Sequence, residues 1–346
     1  MSNAKILDNE IKQILKEEYG IEVDSINEIN RGTADIFKIT SGENKYILKR
    51  FSEGRSKESV IKETNIINYL KDNGLKVPEY IKNQNGEFYY IYNERVLVLQ
   101  KFIDGYTMEN NTGDYKKTIE SATILGKMTK AFENYEGLKE DGIFKKSFSK
   151  ESIESGIVKM KDLQSKLNED NPYKEQFYDD LEFKINVAEE LLETFDFNII
   201  DKMTIKNTHG DYSVQQLIYN DENETTVIDF ETAKIMPIVW EIMRSYSYVH
   251  KEAVDGELNI DTLVDYFKEF TKYVKLNNYD LKYASHLYLI QLIASVFGYK
   301  QFNDDYTKKT LLEFALFRTK LCRYLYNHLD DIGNRLIAES KNQQRV

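Results

Sequence analysis

Short apolar runs separated by turn residues fill the first hundred residues, and this pattern is typical of β-strands. Each run is rich in Ile, Tyr, Val and Phe and is bounded by Gly or Asn turns. The predicted strands span residues 25–30, 34–40, 45–51, 87–92 and 96–102. After the third strand, apolar residues recur at helical spacing over residues 56–72, and Asn73-Gly74 ends that helix. The pattern therefore predicts an antiparallel sheet with one helix.

From residue 115 onward the apolar positions recur mostly at helical spacing. The predicted helices span residues 115–135, 149–167, 174–194, 261–276, 280–297 and 306–329. The interruption at 209–230 contains two short apolar runs joined by a polar turn, which is typical of a hairpin. We therefore predict an α+β chain of two lobes, with a strand-rich lobe over residues 1–102 and a mainly helical lobe over residues 103–346.

Composition narrows the class of protein. The 346 residues include 58 Asp and Glu against 47 Lys and Arg, and the net charge of −11 gives no general attraction for nucleic acid or anionic lipid. The single cysteine, Cys322, excludes an intramolecular disulfide and a multi-thiolate metal site. The longest apolar stretch, residues 287–299, is interrupted by Gln291 and Ser295 and is too short to span a membrane. We expect a soluble, cytoplasmic protein with no nucleic-acid or membrane partner.

The strongest chemical signal is a loop followed by a hairpin and an acidic end. Residues 209–216 read HGDYSVQQ and residues 228–231 read IDFE. Phosphoryl transfer needs a carboxylate that accepts or orients the proton of an alcohol, together with oxygen ligands that hold Mg²⁺ against the phosphates. Asp211, Gln216 and Asp229 can supply all three groups, because the hairpin is expected to return Asp229 beside Gln216.

The pattern HGDxxxxN, a hairpin and then IDF or IDW with an acid resembles the aminoglycoside phosphotransferase and choline kinase superfamily, whose members have a protein-kinase-like fold. The resemblance covers nearly the whole chain, since the third strand ends in YILK at 46–49 and the helix contains IKETNIINYL at 61–70. It implies that Lys49 pairs with the α- and β-phosphates and that Glu63 holds Lys49. The residues implied for the hinge against adenine are Gln100, Lys101 and Phe102.

Within the motif, the resemblance implies that Asp211 is the catalytic base and that Gln216 and Asp229 are Mg²⁺ ligands. His209 and Glu241 are implied as structural braces of the loop. Gly32, in the turn NRGTAD, is implied to allow close approach of the backbone to the phosphates. The superfamily usually has Asn where this chain has Gln216, so the metal ligand would have one more rotatable bond.

The resemblance implies an ATP- or GTP-dependent phosphotransferase that moves the γ-phosphate to an alcohol group of a small molecule, with Mg²⁺ as cofactor. Aminoglycoside-, choline- and homoserine-like acceptors all remain open. The acidic residues of the helix at 174–194 could attract a cationic acceptor, although charge runs are usually solvated helix faces. The alternative, motivated by Gln216, is a catalytically weak kinase-like binding or scaffold protein of the spore-coat type.

Overall fold

The computed structural model describes residues 6–29, 34–220 and 224–343. The predicted phosphate-loop residue Gly32 lies outside the described residues. The chain forms two compact units. The strand-rich unit comprises Met1–Thr107 and Gln216–Ala233, and the helical unit comprises Met108–Gln215 and Lys234–Val346. The hairpin that was predicted to carry the metal ligands therefore belongs to the strand-rich unit, whereas the division into lobes at residue 102 stays a prediction.

Strands and helices are numbered separately in chain order. The strands are β1 (Ser25–Ile29), β2 (Asp35–Ser41), β3 (Asn44–Arg50), β4 (Tyr80–Ile81), β5 (Tyr90–Tyr92), β6 (Arg95–Lys101), β7 (Ile205–Thr208), β8 (Leu217–Tyr219), β9 (Thr225–Val227) and β10 (Lys234–Pro237). The helices are α1 (Asp8–Tyr19), α2 (Lys57–Asp72), α3 (Tyr115–Ala131), α4 (Lys150–Ser165), α5 (Lys174–Thr194), α6 (Ile238–Val249), α7 (Ile260–Thr271), α8 (Asn278–Ile293), α9 (Tyr299–Asp304), α10 (Lys309–Asn327) and α11 (Leu329–Gln343).

The strand-rich unit is built on one antiparallel sheet in the order β1-β2-β3-β6-β4, with β5 also paired to β6. Helix α1 buries Ile11 and Leu15 in a cluster that also contains Phe37, Leu48 and Leu99 of the sheet. Such a cluster removes apolar area from water, and this is the main favourable term in folding. The three predicted strands at 25–51 and the predicted pair at 87–102 are confirmed, whereas α1 and β4 were not predicted.

Helix α2 follows β3, as predicted. The Ser56 hydroxyl accepts a hydrogen bond from the Ser59 N–H at 3.2 Å and caps the helix. The buried face of α2 includes Val60, Ile67 and the predicted site residue Glu63. The helix therefore carries an ionisable side chain into the interior of the strand-rich unit.

The β8–β9 hairpin is fixed to the rest of the strand-rich unit by backbone hydrogen bonds. The Tyr106 N–H donates to the Tyr219 carbonyl at 2.9 Å, and the Tyr219 N–H donates to the Tyr106 carbonyl at 2.8 Å. The Val227 N–H donates to the Lys76 carbonyl at 3.0 Å. Both strands of the hairpin are thus anchored, so the residues at its open end have defined positions.

The helical unit contains helices α3 to α11 together with one pair of strands, β7 and β10. In this pair Thr208 lies opposite Lys234. Helix α6 is buried along almost its whole length, whereas α5 has one exposed face. Six of the seven acidic residues of α5 lie on that face, in agreement with the solvated interpretation: Glu175, Asp179, Glu182, Glu189, Glu190 and Glu193. The seventh, Asp180, is buried.

All six predicted helices are present, and α5 has the predicted bounds. The predicted helix at 306–329 ends earlier, at Asn327, and α11 begins at Leu329. No Gly or Pro marks this break, so the apolar periodicity continues across it. Helices α6, α9 and α11 and the β7–β10 pair are not among the elements predicted from the apolar pattern. Among the described residues, no helix is long and apolar enough to cross a membrane.

Candidate active site

The predicted metal ligands Gln216 and Asp229 lie next to each other at the open end of the hairpin. Leu217 is paired with Val227, and the Ile228 N–H donates to the Gln216 carbonyl at 2.9 Å. The backbone at Gln216 is therefore bonded to the residue directly before Asp229. This hydrogen bond brings the backbones of the two residues together within the strand-rich unit, and their role as metal ligands stays a prediction.

Asp229 adopts a left-handed backbone conformation, with φ 69° and ψ 61°. This region is sparsely populated by residues other than glycine, although Asp tolerates it better than most. Such conformations cluster at functional sites because the surrounding structure must hold them. The turn at Asp229 redirects the chain from β9 toward residues 230–232, where Glu231 follows.

Lys49 lies close enough to Glu63 to affect its pKa, but a third residue, Arg55, forms the ion pair with the Glu63 carboxylate. The Arg55 guanidinium donates to Glu63 Oε2 at 2.7 Å and also contacts the Glu231 carboxylate. The Tyr80 hydroxyl donates to Glu63 Oε1 at 3.4 Å. Lys49 acts on Glu63 through its charge, and no ion pair joins the two in the described part of the chain. The expected partner of Lys49 is thus bonded to Arg55.

The electrostatics of Glu63 reflect this setting. Burial raises the pKa of the Glu63 carboxyl, while the charges of Lys49 and Arg55 act in the opposite direction and that of Asp229 adds to the rise. Burial, followed by the charge of Glu63, raises the pKa of Tyr80 well above its ordinary value. Two cations and two further carboxylates therefore surround one buried carboxyl, a density of charge that is common at functional sites.

The predicted hinge residues lie at the end of β6 and just beyond it. Gln100 is buried and paired with Ile47 and Tyr80, and the Lys101 N–H donates to the Glu79 carbonyl at 2.9 Å. The Phe102 N–H donates to the Lys45 carbonyl at 3.0 Å. These two N–H groups already donate hydrogen bonds within the strand-rich unit. The next backbone donor along the chain is the N–H of Ile103, which was not among the predicted hinge residues.

Asp211, the predicted base, lies in the helical unit, on the loop between β7 and the hairpin. Arg244 of α6 forms an ion pair with Asp211 Oδ1 and donates to the Tyr212 carbonyl at 2.6 Å. Burial acts to lower the pKa of Arg244, but Asp211, Tyr248, Tyr288 and Glu241 together outweigh burial and the pKa is raised. Arg244 therefore fixes the orientation of the carboxylate, a contact that no short motif in the sequence indicated.

Glu241 braces the loop that carries Asp211, as predicted. Its carboxylate accepts the backbone N–H of His209 at 3.1 Å and that of Gly210 at 2.6 Å. Burial raises the pKa of Glu241, against the opposing effects of His209 and these two N–H groups. His209 is fully buried, with its ring edge toward Tyr212. The two braces fix the backbone that precedes Asp211.

The donor set suits Mg²⁺. Mg²⁺ prefers oxygen ligands and is usually held by one or two carboxylates together with substrate phosphates and water. Asp229 offers a carboxylate and Gln216 a side-chain amide oxygen, on chain segments joined by the backbone hydrogen bond from Ile228 to Gln216. No cluster of three or more His, Cys, Asp or Glu suited to a metal occurs in the described ranges. Asp229 and Gln216 are therefore the residues that could hold a Mg²⁺ ion bound to a nucleotide.

Comparison with solved structures shows the fold. An aminoglycoside phosphotransferase from Alicyclobacillus acidocaldarius has a TM-score of 0.68 and 14% identity, over 96% of this chain and 98% of that one. A spectinomycin phosphotransferase in complex with ADP and spectinomycin has a TM-score of 0.67 and 16% identity, over 93% and 98%. An amicoumacin kinase in complex with AMP-PNP and Ca²⁺ has a TM-score of 0.64 and 14% identity, over 94% of each chain.

No match was found among the curated proteins. The profile of the phosphotransferase enzyme family, APH, matches residues 25–276, from β1 to beyond α7. This match covers both the hairpin and the HGD loop, and it confirms the predicted superfamily and the predicted enzyme class, a small-molecule kinase. The chain belongs to the phosphotransferase enzyme family.

Proposed function

We propose that this enzyme transfers the γ-phosphate of ATP or GTP to the alcohol group of a small molecule. The observation that carries the proposal is the backbone hydrogen bond from Ile228 to Gln216, which joins the chain segments that carry the Gln216 amide and the Asp229 carboxylate. The left-handed backbone at Asp229 and the nearby charges of Lys49 and Glu63 support it. An ADP complex of the spectinomycin enzyme and an AMP-PNP complex of the amicoumacin kinase are consistent with a nucleotide donor.

Each residue has a defined part in the proposed reaction. Asp211 accepts the proton of the acceptor hydroxyl as the new bond forms between that oxygen and the γ-phosphorus, and the bond from the γ-phosphorus to ADP or GDP breaks. Lys49 binds the α- and β-phosphates. Gln216 and Asp229 would hold Mg²⁺, which would neutralise phosphate charge when bound. The purine ring of the nucleotide lies against the hinge, which consists of Gln100, Lys101 and Phe102 together with the N–H of Ile103.

The test distinguishes the proposed role of Asp211 as base from the proposed role of Asp229 as metal ligand. We expect Asp211→Asn to retain nucleotide binding and to lower turnover by roughly 10²- to 10⁴-fold, because only proton transfer is lost. Asp229→Asn is expected to weaken Mg²⁺-nucleotide binding itself. ADP release is measured with a panel of alcohols, and nucleotide binding is measured by calorimetry. Asp179→Asn, an exposed aspartate on α5, is the control. Equal activity of wild type and both site variants would contradict these roles.

A second candidate function is a kinase-like binding protein with weak or no catalysis. The observation that favours it is the bond of Glu63 to Arg55, in a chain whose metal ligand is Gln216 where the superfamily usually has Asn. Gln216→Asn discriminates between the two. The substitution should preserve or raise the activity of a true phosphotransferase, and it should create none in a scaffold.

A further inference from the structure

Two arginines of the helical unit lie against a stacked pair of aromatic rings. The Arg244 guanidinium is 4.9 Å from the centre of the Tyr248 ring. Tyr248 stacks on Phe314, with ring centres 6.2 Å apart and planes within 5° of parallel. The Arg318 guanidinium is 5.3 Å from the centre of the Phe314 ring. The four side chains form a continuous series of arginine, ring, ring and arginine, which we name the double-arginine site.

The two arginines differ in their partners. Arg244 is bonded to Asp211 and to the Tyr212 carbonyl. Arg318 makes no hydrogen bond or ion pair with any residue that the structure describes, and its Nε is buried without a partner. Both charges act on the Tyr288 hydroxyl, so the two guanidinium groups share one neighbourhood.

Among the described residues, no carboxylate is bonded to Arg318. The buried carboxylate in this region, Asp180, accepts hydrogen bonds from Arg323 at 3.0 Å and from the Tyr299 hydroxyl at 2.8 Å. A further ionisable group in this region is the buried amine of Lys184, whose pKa is lowered to about 8 by burial, with the charge of Arg318 adding to that effect. Arg318 therefore has a cation as a neighbour, while Asp180 is already engaged.

A guanidinium remains charged at every accessible pH, and a partly buried charge without a counter-ion is costly. Charged groups in such settings cluster at functional sites, where a bound ligand can supply the missing counter-ion. The double-arginine site is also open to solvent: the Arg244 side chain is 17% exposed, and Phe297, whose ring packs edge-on against Phe314, is 43% exposed. An anion with an apolar body would satisfy both the charge and the rings.

We propose that the acceptor is an anionic alcohol, whose carboxylate or phosphate group binds Arg318 while its hydroxyl lies at Asp211. The inference rests on the proposed function, since it takes Asp211 as the base. Arg244 joins the two ends of the site, because it contacts Asp211 on one side and the Tyr248 ring on the other. A cationic acceptor would meet the charge of Arg318, which has no ion-pair partner among the described residues, and this disfavours the choline and aminoglycoside class.

Trp240 provides a local reporter of binding. It is the only tryptophan of the chain, its ring centre is 5.9 Å from the Arg244 guanidinium, and its indole N–H donates to Gln291 at 3.4 Å. The probes are aromatic alcohols that differ only in the para group: hydroxymethylbenzoate, hydroxymethylphenyl phosphate, hydroxymethylbenzamide and hydroxymethylbenzylamine. Each is titrated into the full chain, with and without Mg²⁺-AMP-PNP, while Trp240 fluorescence is recorded.

The benzoate or the phosphate is expected to bind at least about tenfold more tightly than the neutral amide, since a hydrogen bond to a charged group contributes about 1.5–3 kcal/mol. The tighter of the two anions identifies the chemistry of the acceptor. Arg318→Gln should abolish this preference, and Arg318→Lys should retain part of it. The control is Arg335→Gln, an exposed arginine of α11 paired with Asp261, which should leave the preference unchanged.

Two results would overturn the inference: tighter or equal binding of the benzylamine, or an unchanged anion preference in Arg318→Gln. If Arg318→Gln does not fold, the comparison of the four probes on the wild type decides alone. Neither result affects the proposed phosphotransferase function, whose test is Mg²⁺-nucleotide binding at Asp229. Conversely, a chain that binds no nucleotide but prefers the anions would refute the phosphotransferase and retain an anion site.

Discussion

At the scale of residues, Arg55 is the least expected member of the site. It contacts the buried carboxylate of Glu63, which is 4% exposed, and the Glu231 carboxylate, which is 45% exposed. Its guanidinium also lies 4.8 Å from the centre of the Phe51 ring. Breaking a buried ion pair leaves an uncompensated charge, whereas a solvated pair contributes little. The contact of Arg55 with Glu63 should therefore contribute more to the free energy of unfolding than its contact with Glu231.

A double-mutant cycle measures that difference. Arg55→Met should lower the free energy of unfolding by about 3–5 kcal/mol, because Glu63 stays buried without its partner. The coupling energy of Arg55 with Glu63, obtained with Glu63→Gln, should reach about 2–3 kcal/mol. The coupling with Glu231, obtained with Glu231→Gln, should stay below about 1 kcal/mol. Urea unfolding followed by circular dichroism supplies the free energies of the six proteins in the two cycles, and equal couplings would contradict this difference.

Short motifs predicted only part of the site. Asp211, Gln216 and Asp229 were recognisable because the chemistry fixes their residue types and the hairpin fixes their spacing. The contacts of Arg55 and Arg244 were not, because their partners are distant in sequence or on another element. Arg318 contacts Phe314 one turn earlier on α10, but the sequence does not show that its Nε is buried without a partner. An arginine alone gives no signal in a chain with 47 basic residues. The role of such an arginine can be inferred only when the structure shows which residue it contacts, or that it has no partner among the described residues.

At the scale of elements, the β8–β9 hairpin depends on Gly105, which lies directly before its anchor at Tyr106. Gly105 has φ 151°, and a Cβ there would collide with the Tyr219 carbonyl oxygen. Gly105→Ala should displace the hairpin and weaken Mg²⁺-AMP-PNP binding about tenfold or more, which corresponds to about 1.4 kcal/mol. Calorimetry measures the affinity.

Gly86→Ala is the matched control for that substitution. Gly86 has φ 83°, but a Cβ there would meet no atom within 4 Å. The control should cost about 1 kcal/mol of stability through backbone strain and leave nucleotide affinity unchanged. Equal affinities of the Gly105 and Gly86 variants would show that the hairpin position does not matter to the site.

The packing of α8 on the segment after α5 sets up a pH dependence. The His286 ring stacks on Phe195, with ring centres 5.7 Å apart. Burial lowers the pKa of His286 from 6.5 to about 4, so the unfolded chain binds a proton that the folded chain does not. Stability should be complete above pH 6.5 and should fall by up to about 3 kcal/mol as the pH drops to 4.

His286→Phe keeps a ring against Phe195 but does not titrate, so this part of the pH dependence should vanish in the variant. Tyr283→Phe, which changes a neighbouring ring and leaves the imidazole, should keep the wild-type dependence. Urea unfolding at several pH values, followed by Trp240 fluorescence, reports on the helical unit that contains both residues. A variant with the wild-type pH profile would show that His286 is not the cause.

Elements were predictable where turn residues or a one-sided apolar face marked them. The strands from 25 to 51 are bounded by Gly turns, and α5 has a clear exposed face. The β7–β10 pair was missed because each strand has four residues, and its pairing is decided by tertiary contact. Helix α11 was missed because the helical pattern runs on through His328, where only the backbone shows the break.

At the scale of the whole molecule, the chemistry is divided between the two units. Lys49, Glu63, Gln216 and Asp229 belong to the strand-rich unit, and Asp211 belongs to the helical unit. The proposed base, Asp211, and the proposed metal ligand, Gln216, are nevertheless only five residues apart in sequence. The net charge of −11 underlies the prediction that nucleic acid is not a partner, and the single cysteine underlies the predicted cytoplasmic location.

The most direct test of the central claim is the stabilisation of the full chain by Mg²⁺-ATP and Mg²⁺-GTP, measured by urea unfolding of the wild type and of Asp229→Asn. A nucleotide at about a hundred times its dissociation constant should stabilise the wild type by about 2.7 kcal/mol. The account predicts that EDTA and Asp229→Asn each remove this stabilisation. A wild type that gains no stability with either nucleotide, or an Asp229→Asn variant that gains as much as the wild type, would contradict it.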